Sequence, residues 1–147
     1  IRDFKIICFG GGSLIRSEIN LLNELKIPSD KVEFINGDDR KLISLYKNAR
    51  ALIYPSKYEG FGLPILEAMS FDCPVLCSNT SSIPEVGNDA VFYFDPESPE
   101  NILDSILEVV YSDTKTNELK KKGRDRVKFF SWHNCATETL ELYKQLV

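Results

Sequence analysis

Short apolar runs alternate with longer amphipathic ones, and this alternation constrains the fold more than any other feature of the chain. Lys5–Phe9, Val32–Ile35, Ala51–Tyr54, Val75–Cys77 and Val91–Phe94 are built mainly from Ile, Val, Leu, Phe, Tyr and Cys. Each is too short for a helix, and turn residues close several of them: Gly10-Gly11-Gly12, Asn36-Gly37 and Pro55-Ser56. The segments between them carry helical spacing. Ser13 is placed to cap a helix with Leu14, Ile15, Ile19, Leu22 and Leu25, which Pro28 ends. Asp38 or Asp39 caps a short helix with Leu42, Leu45 and Tyr46, and Leu63-Pro64 opens one running through Phe71. Repeated strand–helix alternation predicts an α/β fold: a parallel sheet with helices on both faces.

The remainder reads as helical. Ser98-Pro99-Glu100 is a helix start with proline in the first turn, leading into Ile102, Leu103, Ile106, Leu107 and Val110. A basic helix follows over roughly 115–129, with Lys115, Lys120, Lys121, Lys122, Arg124, Arg126 and Lys128. The preferred reading is a solvated face; contact with anionic lipid is the alternative. Ser131 caps a last helix with Trp132, Ala136, Leu140, Tyr143 and Val147 along one side, a stripe expected to pack in the core. His133, near that helix start, reads as structural.

With 147 residues, 43% of them apolar, the chain has room for one domain with a core. No apolar run approaches the ~20 residues of a membrane span. The net charge is −4, from 18 basic and 22 acidic side chains, so the broad positive surface of a nucleic-acid binder is not expected. The cysteines are Cys8, Cys73, Cys77 and Cys135. Cys73-x3-Cys77 lacks a usual zinc spacing, and His133 is distant. Four reduced thiols, no metal and a cytoplasmic location are the expectation.

Residues 54–68 concentrate the chemistry. A strand ends at Pro55, a loop holds Gly60 and Gly62, and a helix opens at Leu63-Pro64. In open α/β sheets ligands bind beyond the carboxyl ends of strands. A helix start there offers N–H groups and a positive dipole end, which suits phosphate. Glu59 precedes the helix and Glu67 is expected in its first turn. Carboxylates accept hydrogen bonds from vicinal hydroxyls of ribose or hexose. Two of them around a phosphate site suggest a nucleotide-sugar; the plainer reading is a solvated Glu59 and a Glu67 that favours the helix dipole. Gly10-Gly11-Gly12 lacks the Gly-x-Gly-x-x-Gly spacing and reads as a turn.

Glu59-Gly-Phe-Gly-Leu-Pro-Ile-Leu-Glu67 resembles the Glu-x7-Glu motif of the family-4 retaining glycosyltransferases of GT-B fold. Ala49-Arg50-Ala51 to Pro55-Ser56, Cys73-Pro74-Val75 to Ser78-Asn79, Ser82-Ile83-Pro84-Glu85-Val86-Gly87 and Phe130-Ser131-Trp132 resemble its flanking segments in the same order. The likeness is nearest to mannosyltransferases that build bacterial surface polysaccharides such as O-antigen. It implies a Rossmann-like, donor-binding C-terminal half of a GT-B enzyme over residues 1–147. Glu59 becomes the candidate catalytic residue, with contact to hexose hydroxyls favoured over a covalent nucleophile. Gly60, Phe61, Gly62, Leu63 and Pro64 would face hexose and diphosphate, Glu67 the ribose, and the Ile35, Asn36, Gly37, Asp38 loop the base. The donor implied is a GDP- or UDP-hexose, with retention of configuration and no metal or other cofactor. The acceptor, a glycan or lipid-linked glycan, would be held by an N-terminal domain, at or near the inner face of the membrane. A nucleotide-sugar epimerase and a non-catalytic interaction module are the alternatives.

Against the family pattern the chain lacks the acceptor domain and the first donor-domain strand, with the Arg and Lys that follow it. Arg16 and Lys57 are conceivable substitutes but read as surface charges. In a 3-2-1-4-5-6 order the missing strand is central, so Lys5–Phe9 and Ala51–Tyr54 are predicted to flank a gap. Filling by another chain, with self-association through the open sheet, or a rearranged strand pairing would follow. A fragment of this kind is not expected to transfer sugar by itself.

Overall fold

A computed structural model describes residues 3–146; Val147, assigned above to the last helix, lies outside the described residues. The chain forms two compact units, Ile1–Leu45 and Tyr46–Val147.

In the first unit β1 (Ile6–Phe9) pairs in parallel with β2 (Val32–Ile35), in the register Ile6↔Val32 to Phe9↔Ile35. Between them runs α1 (Arg16–Glu24). Its cap is not Ser13. Ile15 holds the N-cap position, and the Glu18 carboxylate accepts the Ile15 N–H at 2.9 Å. Nor does Pro28 end it. Lys26 takes φ 51°, Ile27 N–H donates to Leu22 O and Lys26 N–H to Asn23 O, a Schellman closure that satisfies the last carbonyls before the proline is reached. Helix α2 begins at Asp39, and Asp38 is its cap, accepting the Lys41 N–H at 3.0 Å. This helix continues to Asn48, in the second unit.

The second unit holds a three-stranded parallel sheet in the order β3 (Leu52–Tyr54), β4 (Val75–Ser78), β5 (Phe92–Phe94). Strand β4 is central and buried along its whole length, as a parallel strand covered on both faces should be. Leu76, Phe94, Val109 and Leu119 form the buried cluster, with Ile53, Phe92, Ile102 and Ile106 packed on it. Helix α3 (Leu63–Ser70) buries Ile65, Leu66, Ala68 and Met69. A short α4 (Ile83–Gly87) and a single 3-10 turn (Asn88–Ala90) precede β5. Helix α5 (Pro99–Val110) is capped by Ser98 and α6 (Asp113–Val127) by Ser112, each serine oxygen accepting a backbone N–H three residues on.

The basic helix α6 is thus not simply a solvated face. It buries Thr116, Leu119 and Gly123. At Gly123 it approaches α3 so closely that a Cβ there would lie 3.1 Å from Met69 Cγ. Several of its charges pair locally: Lys115 with Glu108, Lys122 with Asp89 and Glu118, Arg124 with Asp72.

One sequence expectation fails here. The last helix, α7 (Trp132–Gln145), is capped by Ser131 as foreseen but buries nothing: Trp132 is 80% exposed, and Leu140 and Tyr143 are exposed too. Its apolar stripe is not core packing, because helical periodicity records that a face is apolar and not what covers it. Rearranged strand pairing, one of the two alternatives for the open sheet, is not found. Among the described residues the strands form two separate ladders, β1–β2 and β3–β4–β5, each with the neighbours a doubly wound order requires. No helix of the described residues is long and apolar enough to cross a membrane.

Candidate active site

The second unit gathers the Glu59–Glu67 segment at the carboxyl end of β3. Pro55 stops the strand, and the loop crosses to α3 through Gly62, whose φ of 103° is a left-handed conformation that side chains rarely adopt. Leu63 is the first helical residue and Pro64 the second. Glu67 is therefore the fifth residue of α3 and stands in its second turn, not the first. A role in favouring the helix dipole falls away with that placement, since the dipole acts over the first turn.

The loop is braced from one side by three consecutive hydroxyls. Thr80 Oγ1 donates to Lys57 O (3.0 Å), Ser81 Oγ to Glu59 O (2.8 Å), and Ser82 Oγ to Glu59 O (3.0 Å) and Phe61 O (3.1 Å). Ser56 Oγ donates to Tyr58 O, and Ile65 N–H to Gly62 O. The carbonyls of Lys57, Tyr58, Glu59, Phe61 and Gly62 thereby each have a donor within the protein. Among the described residues no protein acceptor meets the N–H groups of Phe61, Gly62 and Leu63. Ser81 holds its place at φ 56°, a strained backbone for a non-glycine residue. The signal for this brace was present in the sequence as Thr80-Ser81-Ser82 directly after a strand, and only Ser82 had been singled out.

Each carboxylate has a tyrosine partner. Tyr54 Oη donates to Glu59 Oε1 at 2.5 Å, and Tyr46 Oη donates to Glu67 Oε2 at 3.3 Å. The Tyr54 bond, with help from the Ser56 hydroxyl, holds the Glu59 carboxyl below its usual range. Burial, then the bond to the carboxylate, raises both phenols far above theirs; both stay protonated donors at any working pH. Neither part is legible in the sequence, where Tyr46 belongs to a helical apolar stripe and Tyr54 ends an apolar run.

Phe61 turns its ring edge-on to Phe130, with centroids 5.8 Å apart. Arg126 lies over the Phe130 ring at 4.8 Å and donates to Val86 O and Glu85 O at the end of α4. Lys57, weighed as a phosphate ligand, is instead paired with Glu97 at 2.8 Å, both side chains well exposed. Arg50 of the Ala49-Arg50-Ala51 segment joins Val110 O and Asp113, fixing the corner between α5 and α6. Among the described residues no group of three or more His, Cys, Asp or Glu is arranged to hold a metal ion.

The Ile35–Asp38 segment belongs to the first unit. Ile35 ends β2, Asn36 and Gly37 form the turn, and the Asp38 carboxylate serves α2. Gly37 has no room for a side chain, since a Cβ would come within 2.8 Å of Lys41 Cβ. Gly10, Gly11 and Gly12 all have positive φ, and Gly10 N–H bonds Ile35 O, which fits a turn.

Residues 1–126 match the family model described as Glycosyl transferases group 1. The O-antigen chain mannosyltransferase B of Escherichia coli is 47% identical over 108 residues, covering 74% of this chain and 28% of that protein. The MMP alpha-(1->4)-mannosyltransferase of Mycolicibacterium hassiacum is 31% identical over 132 residues, 86% of this chain and 32% of that protein. Among solved structures, sucrose-phosphate synthase from Thermosynechococcus elongatus superimposes with a TM-score of 0.81 at 25% identity, covering 97% of this chain and 38% of that one. A glycosyltransferase from Rickettsia africae gives 0.78 at 24% identity, covering 97% and 40%. The chain thus spans well under half the length of these relatives, and its α/β, Rossmann-like fold is that of the C-terminal domain of GT-B glycosyltransferases. With a family match running from residue 1 to residue 126, the chain belongs to the group 1 family of glycosyl transferases.

Proposed function

We propose that this chain is the donor-binding part of a glycosyltransferase that moves a hexose, mannose by preference, from a GDP- or UDP-sugar to a growing surface glycan such as O-antigen. The observation that carries the reading is the one-sided loop: the carbonyls of Lys57, Glu59 and Phe61 are tied to Thr80, Ser81 and Ser82, while among the described residues the N–H groups of Phe61, Gly62 and Leu63 meet no protein acceptor. Such a loop suits an anionic diphosphate. Glu59 at one end accepts hexose hydroxyls and Glu67, four residues into the helix, accepts ribose hydroxyls. The Ile35–Asp38 turn is assigned to the base. The 47% identity to an O-antigen chain mannosyltransferase supports mannose and a polysaccharide acceptor.

Transfer is proposed to retain anomeric configuration and to use no metal, with backbone N–H groups offsetting leaving-group charge. Acceptor binding is assigned to a part of the protein outside this chain. Placement at the cytoplasmic membrane face follows from a lipid-linked acceptor. Calorimetric titration of the full-length protein with GDP, UDP, ADP and their hexoses tests the reading. Binding of one guanosine or uridine donor is expected. A folded protein that binds none of them overturns it.

A further inference from the structure

We propose that Tyr54 is the positioning residue for Glu59: anchored at the end of a rigid strand, its phenol fixes the carboxylate so that only outward-facing acceptor sites remain for the donor sugar. This rests on the reading of Glu59 as the hexose contact. Glu59 sits in a loop, where a carboxylate is free to choose among rotamers. Tyr54 does not share that freedom. Its backbone is registered against Cys77 in the β3–β4 ladder, and its carbonyl accepts the Ser78 hydroxyl. A carboxylate has about four lone-pair directions. One is occupied by the Tyr54 phenol, and others are left for a pair of vicinal hydroxyls. A site held by rigid elements keeps its geometry better than one left to a loop.

The test uses the full-length protein with Tyr54→Phe, Glu59→Gln and the double variant. Phenylalanine keeps the ring and deletes only the donor. Tyr54→Phe is expected to weaken nucleotide-sugar binding about five- to tenfold while leaving the affinity for the free nucleoside diphosphate unchanged. The acid limb of its activity profile moves to higher pH, because Glu59 loses the bond that keeps it ionised. The double variant loses no more than Glu59→Gln alone. In the wild-type protein, a downfield tyrosine hydroxyl proton signal that disappears in Glu59→Gln reads the same bond without changing Tyr54.

If Glu59→Gln impairs nucleotide-sugar binding but Tyr54→Phe matches wild type in affinity and pH profile, the positioning role is overturned and the donor site stands. Additive losses in the double variant, or equal loss of nucleoside diphosphate binding, overturn it as well. If Glu59→Gln itself leaves nucleotide-sugar binding intact, the donor-site reading fails first.

Discussion

Phe61 meets Phe130 edge-to-face, with ring planes at 82°, and the opposite partner of Phe130 is the Arg126 guanidinium. A residue of the donor loop is thus steadied by the segment that joins α6 to α7. Edge-to-face pairs and cation–π contacts each contribute on the order of 1 kcal/mol. Phe130→Ala is therefore expected to lower stability by about 1–2 kcal/mol and to weaken donor binding, since Phe61 loses its rest. Thermal unfolding and donor titration check the two effects separately. Unchanged stability would show that the contact contributes nothing.

Glu67→Ala removes the acceptor assigned to the ribose. A hydrogen bond to a charged group is worth about 1.5–3 kcal/mol, so donor affinity of the full-length protein is expected to fall at least tenfold. The free nucleoside diphosphate loses as much, because the ribose belongs to it. Equal affinity in wild type and variant would sink the ribose assignment.

Gly123 lets α6 lie close on α3. In Gly123→Ala the gain in helix propensity, about 1 kcal/mol, opposes a Cβ contact of 3.1 Å with Met69 Cγ, and the variant is expected near neutral. Gly123→Val has no such offset and is expected to lose about 1–3 kcal/mol through overpacking. Chemical denaturation of both variants measures the difference. A valine variant as stable as the alanine one would mean that the helices can move apart freely.

Burial pushes the Cys73 thiol up to about 11 and the Cys77 thiol up to about 12. Both are protonated at neutral pH, and the thiolate is the nucleophile. Cys135 is exposed on α7. Alkylation of the folded chain at about pH 7.5 should label Cys135 first and leave Cys73 and Cys77 intact until unfolding. Peptide mapping after timed quenching reads the order. Labelling of Cys77 at the rate of Cys135 would contradict its burial in β4.

The five strands were legible because each apolar run is short, rich in strand-forming side chains and in several cases closed by a turn residue. Val32–Ile35 is recovered to the residue, and the others within one or two. Helix ends were less legible where the backbone closes itself. Lys26 and Asp72 both take the left-handed position that glycine usually marks, so neither end of α1 or α3 announced itself by composition. The five-residue α4 carries too little periodicity to be read as a helix. In the site, Glu59 and Glu67 stood out because their spacing is a sequence property. Tyr46 and Tyr54 did not, because their role depends on a phenol reaching a carboxylate from another element or across a turn. The apolar stripe of α7 was visible, but its exposure was not.

An exposed peptide loop ordinarily presents both polarities, and a cation and an anion can each find a welcome there. Here the acceptors at Lys57, Tyr58, Glu59, Phe61 and Gly62 are consumed by hydroxyls and a backbone N–H of the same chain. What remains at the mouth of α3 is a row of unspent donors, so this length of backbone offers a ligand the polarity opposite to that of the carboxylates beside it.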